Sequence, residues 1–272
     1  MKELTGKYRK GLSKRESLLL SELAKENKPI FTVEQAKKIL TEDPYSILHF
    51  LSKKKWILPL KGGLYAIVPL DIGVRGAEDF IVHDFIIASY LTRPYYIAFW
   101  SALNYHGLSD QIPKSVFVAS KKAKKSLSVL NTGFVFVQLK NSSFIGIEKI
   151  EIESQKINIS NLNKTLADCL DHPEHSGGIE EVAKAIFFNH EELDFNKVKS
   201  YALKMNNVTI LKRLGYILEK TGLLEEHEDV FKNIQLTKGY SKFDTISRKK
   251  GRYNEKWKLK INVDIDLNRW MY

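Results

Sequence analysis

Three groupings of side chains in this sequence have the residue types that chemistry requires. Cys169, His172 and His175 form a Cys-x2-His-x2-His run, with Asp171 and Glu174 between them, and thiol and imidazole are the ligands zinc takes. A structural zinc site draws four ligands from two arms of chain, and Pro173 inside the run marks a helix-ending loop, so the run is read as non-metal. Glu153 and Lys156 are the acid and lysine types of a nuclease, but their spacing is one residue too long and no upstream aspartate accompanies them. The chain has no Gly-x4-Gly-Lys-Ser/Thr, no Gly-x-Gly-x2-Gly, no Gly-x-Ser-x-Gly, and no Gly-Ser followed by paired aspartates. The expectation is a protein that is not an enzyme and needs no cofactor.

The third grouping suits recognition. Tyr45, Ser46 and His49 offer hydrogen-bonding groups of the kind that read base edges, and Lys53, Lys54 and Lys55 follow them. At helical spacing Tyr45, Ser46, His49 and Lys53 lie opposite Leu48 and Leu51, which, with Trp56 just beyond, face a core. Such a helix enters the major groove by its amino-terminal half.

The elements that must position it are legible on either side. From Ser13, residues Leu19, Leu20, Leu23 and Ala24 recur at helical spacing, and the segment closes before Asn27 and Pro29. Thr32 and Gln35 stand at capping-box spacing and open a second helix over Val33 to about Leu40. Asp43 as cap and Pro44 as first helical residue open the third, ending near Lys54. Two strands joined by Lys61-Gly62-Gly63 complete a winged helix-turn-helix over residues 1–68. In that module Lys53, Lys54, Lys55, the wing's Lys61, and Arg9, Lys10, Lys14 and Arg15 are expected to meet phosphates, while Tyr45, Ser46 and His49 read bases.

Charge agrees with this placement. The net charge is +11, and residues 1–68 hold 14 Lys and Arg against 7 Asp and Glu. A second basic stretch, 238–258, holds 8 against 2 and includes Arg248, Lys249, Lys250 and Arg252, an exposed charged loop open to DNA, to an acidic partner surface or to neither. A lone cysteine, Cys169, forms no intrachain disulfide, and no apolar run is long enough for a bilayer; the expectation is a cytoplasmic protein without a membrane partner.

Residues 69–79 lack periodicity and are read as a linker. Beyond them, 80–272 form a larger mixed domain: helices at Phe80–Leu91 and Ala98–Gly107, strands within 115–159, then helices from Lys164 to Gly222. Strands succeeded by helices argue for an α+β fold. Asp168, set among apolar neighbours, is expected to be buried and to need a partner. Gly177-Gly178 read as a helix start, and Trp257–Ile265 as a half-buried strand.

Several stretches of this second domain resemble the AbiEi antitoxin family. They are Tyr95 to Leu103, His106-Gly107-Leu108, Gln111-Ile112-Pro113, Lys164 to Leu170, Gly177 to Val182 and Arg213-Leu214-Gly215-Tyr216. The resemblance implies an autorepressor and antitoxin, acting at repeats in its own promoter and opposing a nucleotidyltransferase-like toxin. A stand-alone regulator with a ligand- or protein-sensing second domain would share this architecture.

Overall fold

A computed structural model describes residues 9–41, 43–72 and 80–270. The chain divides into two compact units, one of residues 1–90 with 128–131 and the other of 91–127 with 132–272. Of the expected linker, Leu70–Ile72 form a 3-10 turn, and 73–79 lie outside the described residues. Among the described residues no helix is long and apolar enough to cross a membrane.

In the first unit the order is α1 (Lys14–Lys25), β1 (Ile30–Thr32), α2 (Val33–Ile39), α3 (Tyr45–Lys53), β2 (Ile57–Lys61) and β3 (Leu64–Ile67). Capping boxes start α1, from Ser13 and Glu16, and α2, from Thr32 and Gln35. Each pairs two backbone donors that would otherwise be orphaned at a helix end. Strand β1 was not anticipated. It adds to the hairpin in the order β1-β3-β2, with Ile30 opposite Ala66 and Thr32 opposite Leu64. Leu19, Leu23, Phe31, Val33, Ala36, Leu48, Leu51 and Ile57 form one buried core beneath the helices and sheet. Helix-strand-helix-helix-strand-wing-strand is the winged-helix arrangement.

The second unit holds β4 (Tyr95–Ile97), α5 (Phe99–Tyr105), β5 (Ser115–Ser120), β7 (Thr132–Gln138), β8 (Ile147–Ile152), β9 (Gln155–Ser160), and helices α6 (Leu162–Asp171), α7 (Ile179–Asn189), α8 (Phe195–Lys204) and α9 (Thr209–Thr221). The short β6 (Leu127–Val129) straddles the boundary between the units, and within the second unit the sheet runs β7-β5-β4-β9-β8. It mixes parallel pairs, β5 with β7 and β4 with β9, and antiparallel ones. Helix α4 (Asp84–Leu91), expected in the second domain, falls in the first unit apart from Leu91 and begins four residues after its expected start at Phe80; the His83 ring nitrogen accepts the Phe85 N–H there, so the chain turns before the helix begins. The whole is mixed α+β, as the order of elements implied.

The C-terminal segment is folded onto this unit. Strands β10 (Ser241–Lys242), β11 (Arg252–Asn254) and β12 (Leu259–Ile261) make a small sheet ordered β10-β12-β11, and Leu259 and Ile261 enter the main helical core. Arg213 holds it by donating to the carbonyls of Leu170 and Asp171 on one side and of Lys242 and Phe243 on the other. Gly215 lets Trp257 lie against α9: a Cβ there would come within 2.0 Å of the indole. The stretch Arg213 to Tyr216 thus has a packing reason for its residue types.

Candidate nucleic-acid interface

Helix α3 is fixed from below by Leu48 and Leu51, both essentially inaccessible. That leaves Tyr45, Ser46, His49, Phe50 and Lys53 exposed on its outer side. Tyr45 and Phe50 are more than half exposed, a poor place for large rings unless something covers them. The cap differs from expectation. Pro44, not Asp43, takes the cap position, and no side chain bonds the first-turn amides, because the helix starts one residue later than read. Lys37, at the end of α2, places its ammonium 5.5 Å from the centre of the Tyr45 ring. Lys37 and Lys38 extend the basic surface from α2 toward the start of α3; they are not among the residues singled out from sequence, and lysine is common in any last helical turn.

The expected phosphate contacts divide into two sets. Lys10, Lys14, Arg15, Lys53 and Lys61 are exposed, and Lys55 is half-buried with a φ of +65° where the chain leaves α3. Arg9 and Lys54 are already engaged by protein groups. The Arg9 guanidinium donates to the carbonyls of Val68, at 3.2 Å, and Pro69, and sits 5.0 Å over the Trp56 ring. Burial lowers its pKa. It ties the start of the chain to the end of the wing. Lys54 pairs at 2.6 Å with Glu16, a residue only 3% exposed. Burial pushes the Glu16 carboxyl up, but hydrogen bonds from Lys54 and Ser13 outweigh it and hold its pKa below 4.5.

This reassignment makes a prediction. Lys54→Ala leaves Glu16 buried without its cation and is expected to destabilise the chain by about 1–3 kcal/mol at neutral pH. Because the folded pKa of Glu16 is depressed, the pair's stabilisation is complete above 4.5 and is lost as pH falls through the folded value. Urea unfolding of wild type and variant at about pH 7 and pH 3 checks it. An equal deficit at both would show that the ion pair is not the cause.

In the second unit Arg248, Lys249 and Lys250 are exposed, and Arg252 is exposed but paired with Asp264 at 3.3 Å. Beside them Tyr240 and Tyr253 meet edge to face at 4.8 Å, with Lys258 and Lys260 over their rings. Gly177 and Gly178 do start α7 at positive φ, but the Asp244 carboxylate already takes the Ile179 amide, so the anion there is the protein's own. Cys169 is buried in the helical core, and burial raises its thiol to about 12. His172 and His175 instead meet Glu174, whose carboxylate accepts from His172 at 3.1 Å and from the Thr245 hydroxyl at 2.5 Å. Although burial alone would raise it, those bonds bring the Glu174 pKa down to about 2.

Fold and surface together define a two-unit α+β protein whose first unit is a winged helix with a polar, basic outer face. No family model and no curated protein matches the chain. Among solved structures, the crystal structure of the RV2827C protein from Mycobacterium tuberculosis superposes with a TM-score of 0.65 at 15% identity, covering 93% of each chain. At that identity the likeness is one of fold.

Proposed function

We propose that this chain is a sequence-specific double-stranded DNA-binding repressor. The observation that carries this reading is the outer face of α3, where Tyr45, Ser46, His49 and Lys53 are all exposed on a helix anchored by Leu48 and Leu51. Lys61 on the wing and Lys37 and Lys38 on α2 flank it with cations that would set register on the phosphates. The AbiEi-like stretches of the second unit support a finer version, an autorepressor of its own promoter that also acts as antitoxin against a nucleotidyltransferase-like toxin. A ligand-sensing regulator is the second reading. It rests on a cleft of about 400 Å³ whose lining includes Ser109, Gln111, Glu181, Lys184 and Trp270.

The test separates reading from anchoring. His49→Ala and Ser46→Ala are expected to reduce the preference for promoter over random duplex by about 1–3 kcal/mol each. Lys53→Ala is expected to weaken both duplexes alike. Fluorescence anisotropy with the two duplexes measures this, and equal losses for all three variants would show that α3 does not read bases. The adjacent reading frame discriminates between the finer versions, since a nucleotidyltransferase gene beside this one favours the antitoxin.

A further inference from the structure

A second cluster of ligand-type side chains lies away from the interface and draws on two separate stretches of chain. His190 closes α7, while Glu226 and His227 lie in the 3-10 segment Glu225–Phe231. One ligand atom from each of the three lies within 4.8 Å of the others. The segment leaves helical geometry at His227, where φ is −122° and ψ is 21°. There the ring is wedged edge-on against Phe195, with centroids 4.7 Å apart. Its Nε2 is buried and has no hydrogen-bond partner among the described residues. A buried polar atom without a partner requires an explanation, and an ion is one.

The surroundings favour a cation. In a chain of net charge +11, residues 225–229 read Glu-Glu-His-Glu-Asp, and His190 is followed by Glu191 and Glu192. The Cys169–His175 region offers a contrast: there His172, Glu174 and Thr245 already satisfy one another.

We propose that His190, Glu226 and His227 bind a divalent transition-metal ion of the zinc class, with water in the remaining position. Two imidazoles, which are borderline ligands, with a single harder carboxylate suit zinc better than magnesium or calcium. Ligands about 2.0–2.2 Å from a tetrahedral ion stand roughly 3.4 Å apart, so three groups within 4.8 Å of one another close by at most about 1.4 Å on binding. Glu226 is exposed and His190 half-buried, and both can rotate to do so. The ion fastens the segment after α9 to the turn between α7 and α8.

The experiment uses the full chain, stripped with a chelator and titrated with Zn2+ by calorimetry and with Co2+ by visible absorption. One ion per chain is expected, with the intense visible band of tetrahedral Co2+ and a higher melting temperature when metal is present. His190→Ala, His227→Ala and Glu226→Gln are each expected to weaken binding by about a hundred-fold or more, and His172→Ala to leave it unchanged. Glu226→Gln keeps an exposed side chain of the same shape, so its loss of binding is not a loss of fold; circular dichroism verifies this. Absence of stoichiometric binding by wild type overturns the site. So does binding that survives all three substitutions or disappears with His172→Ala.

Discussion

Raising salt from about 50 to about 200 mM is expected to weaken promoter binding about a thousand-fold. Lys10, Lys14, Lys37, Lys38, Lys53 and Lys61 are exposed on the winged-helix unit. If roughly six cations replace condensed counterions, the slope of log affinity against log salt is about −5. Each exposed lysine replaced by alanine is expected to make that slope shallower by about 1. Lys54→Ala and Arg9→Ala are expected to leave it unchanged, because both cations are already held by protein groups, Glu16 in one case and two wing carbonyls in the other. Titrations of labelled promoter DNA at several salt concentrations measure the slope. A slope near zero would refute the interface, and an equal change for Lys53→Ala and Lys54→Ala would refute its division into free and engaged cations.

Why Lys53 and Lys54 differ marks the limit of sequence reading. Local grammar was legible where both partners are close in the chain. Thr32 and Gln35 announce α2 from three residues apart, and the Gly62-Gly63 turn announces the wing. Strand β1 was missed because its three residues, from Ile30 to the helix cap Thr32, are too few to show a period of two, and its pairing with β3 is set by the fold. Glu16 reads locally as an ordinary first-turn acid; only the packing of α1 beside the end of α3 buries it and brings Lys54 to it. The proposed metal cluster was invisible for the same reason, since His190 and His227 belong to different elements. Asp168 is intermediate: its apolar neighbours showed that it would be buried and need a partner, and the structure supplies two, one of which, Tyr96, lies in a distant strand.

That buried group carries the other large effect. Lys164 and Asp168 are four residues apart on α6, both with essentially no exposure, and the Lys164 ammonium donates to the Asp168 carboxylate. The Tyr96 hydroxyl accepts from Lys164 at 3.2 Å and donates to Asp168 at 3.1 Å, closing a three-membered network. Burial, with Asp168 alongside, raises the Tyr96 phenol well above its ordinary value, so it stays a donor at any working pH. Removing one partner of a buried pair costs about 3–5 kcal/mol, because the survivor keeps its desolvation cost without its counter-charge. Lys164→Met is therefore expected to destabilise the second unit by about that much. The pH dependence has a definite sign. Burial already raises the Asp168 pKa above 3.8, and loss of the ammonium raises it further, so the variant's deficit relative to wild type grows as pH climbs from the wild-type folded value through the new, higher one. The double variant Lys164→Met with Asp168→Leu removes both charges and is expected to recover most of the loss. Urea unfolding followed by tryptophan fluorescence at about pH 5 and pH 8 measures all three chains, with Trp100 and Trp257 reporting from this unit. A deficit under about 1 kcal/mol for Lys164→Met, or a double variant no more stable than the single, would mean that the network is not what holds α6 against β4.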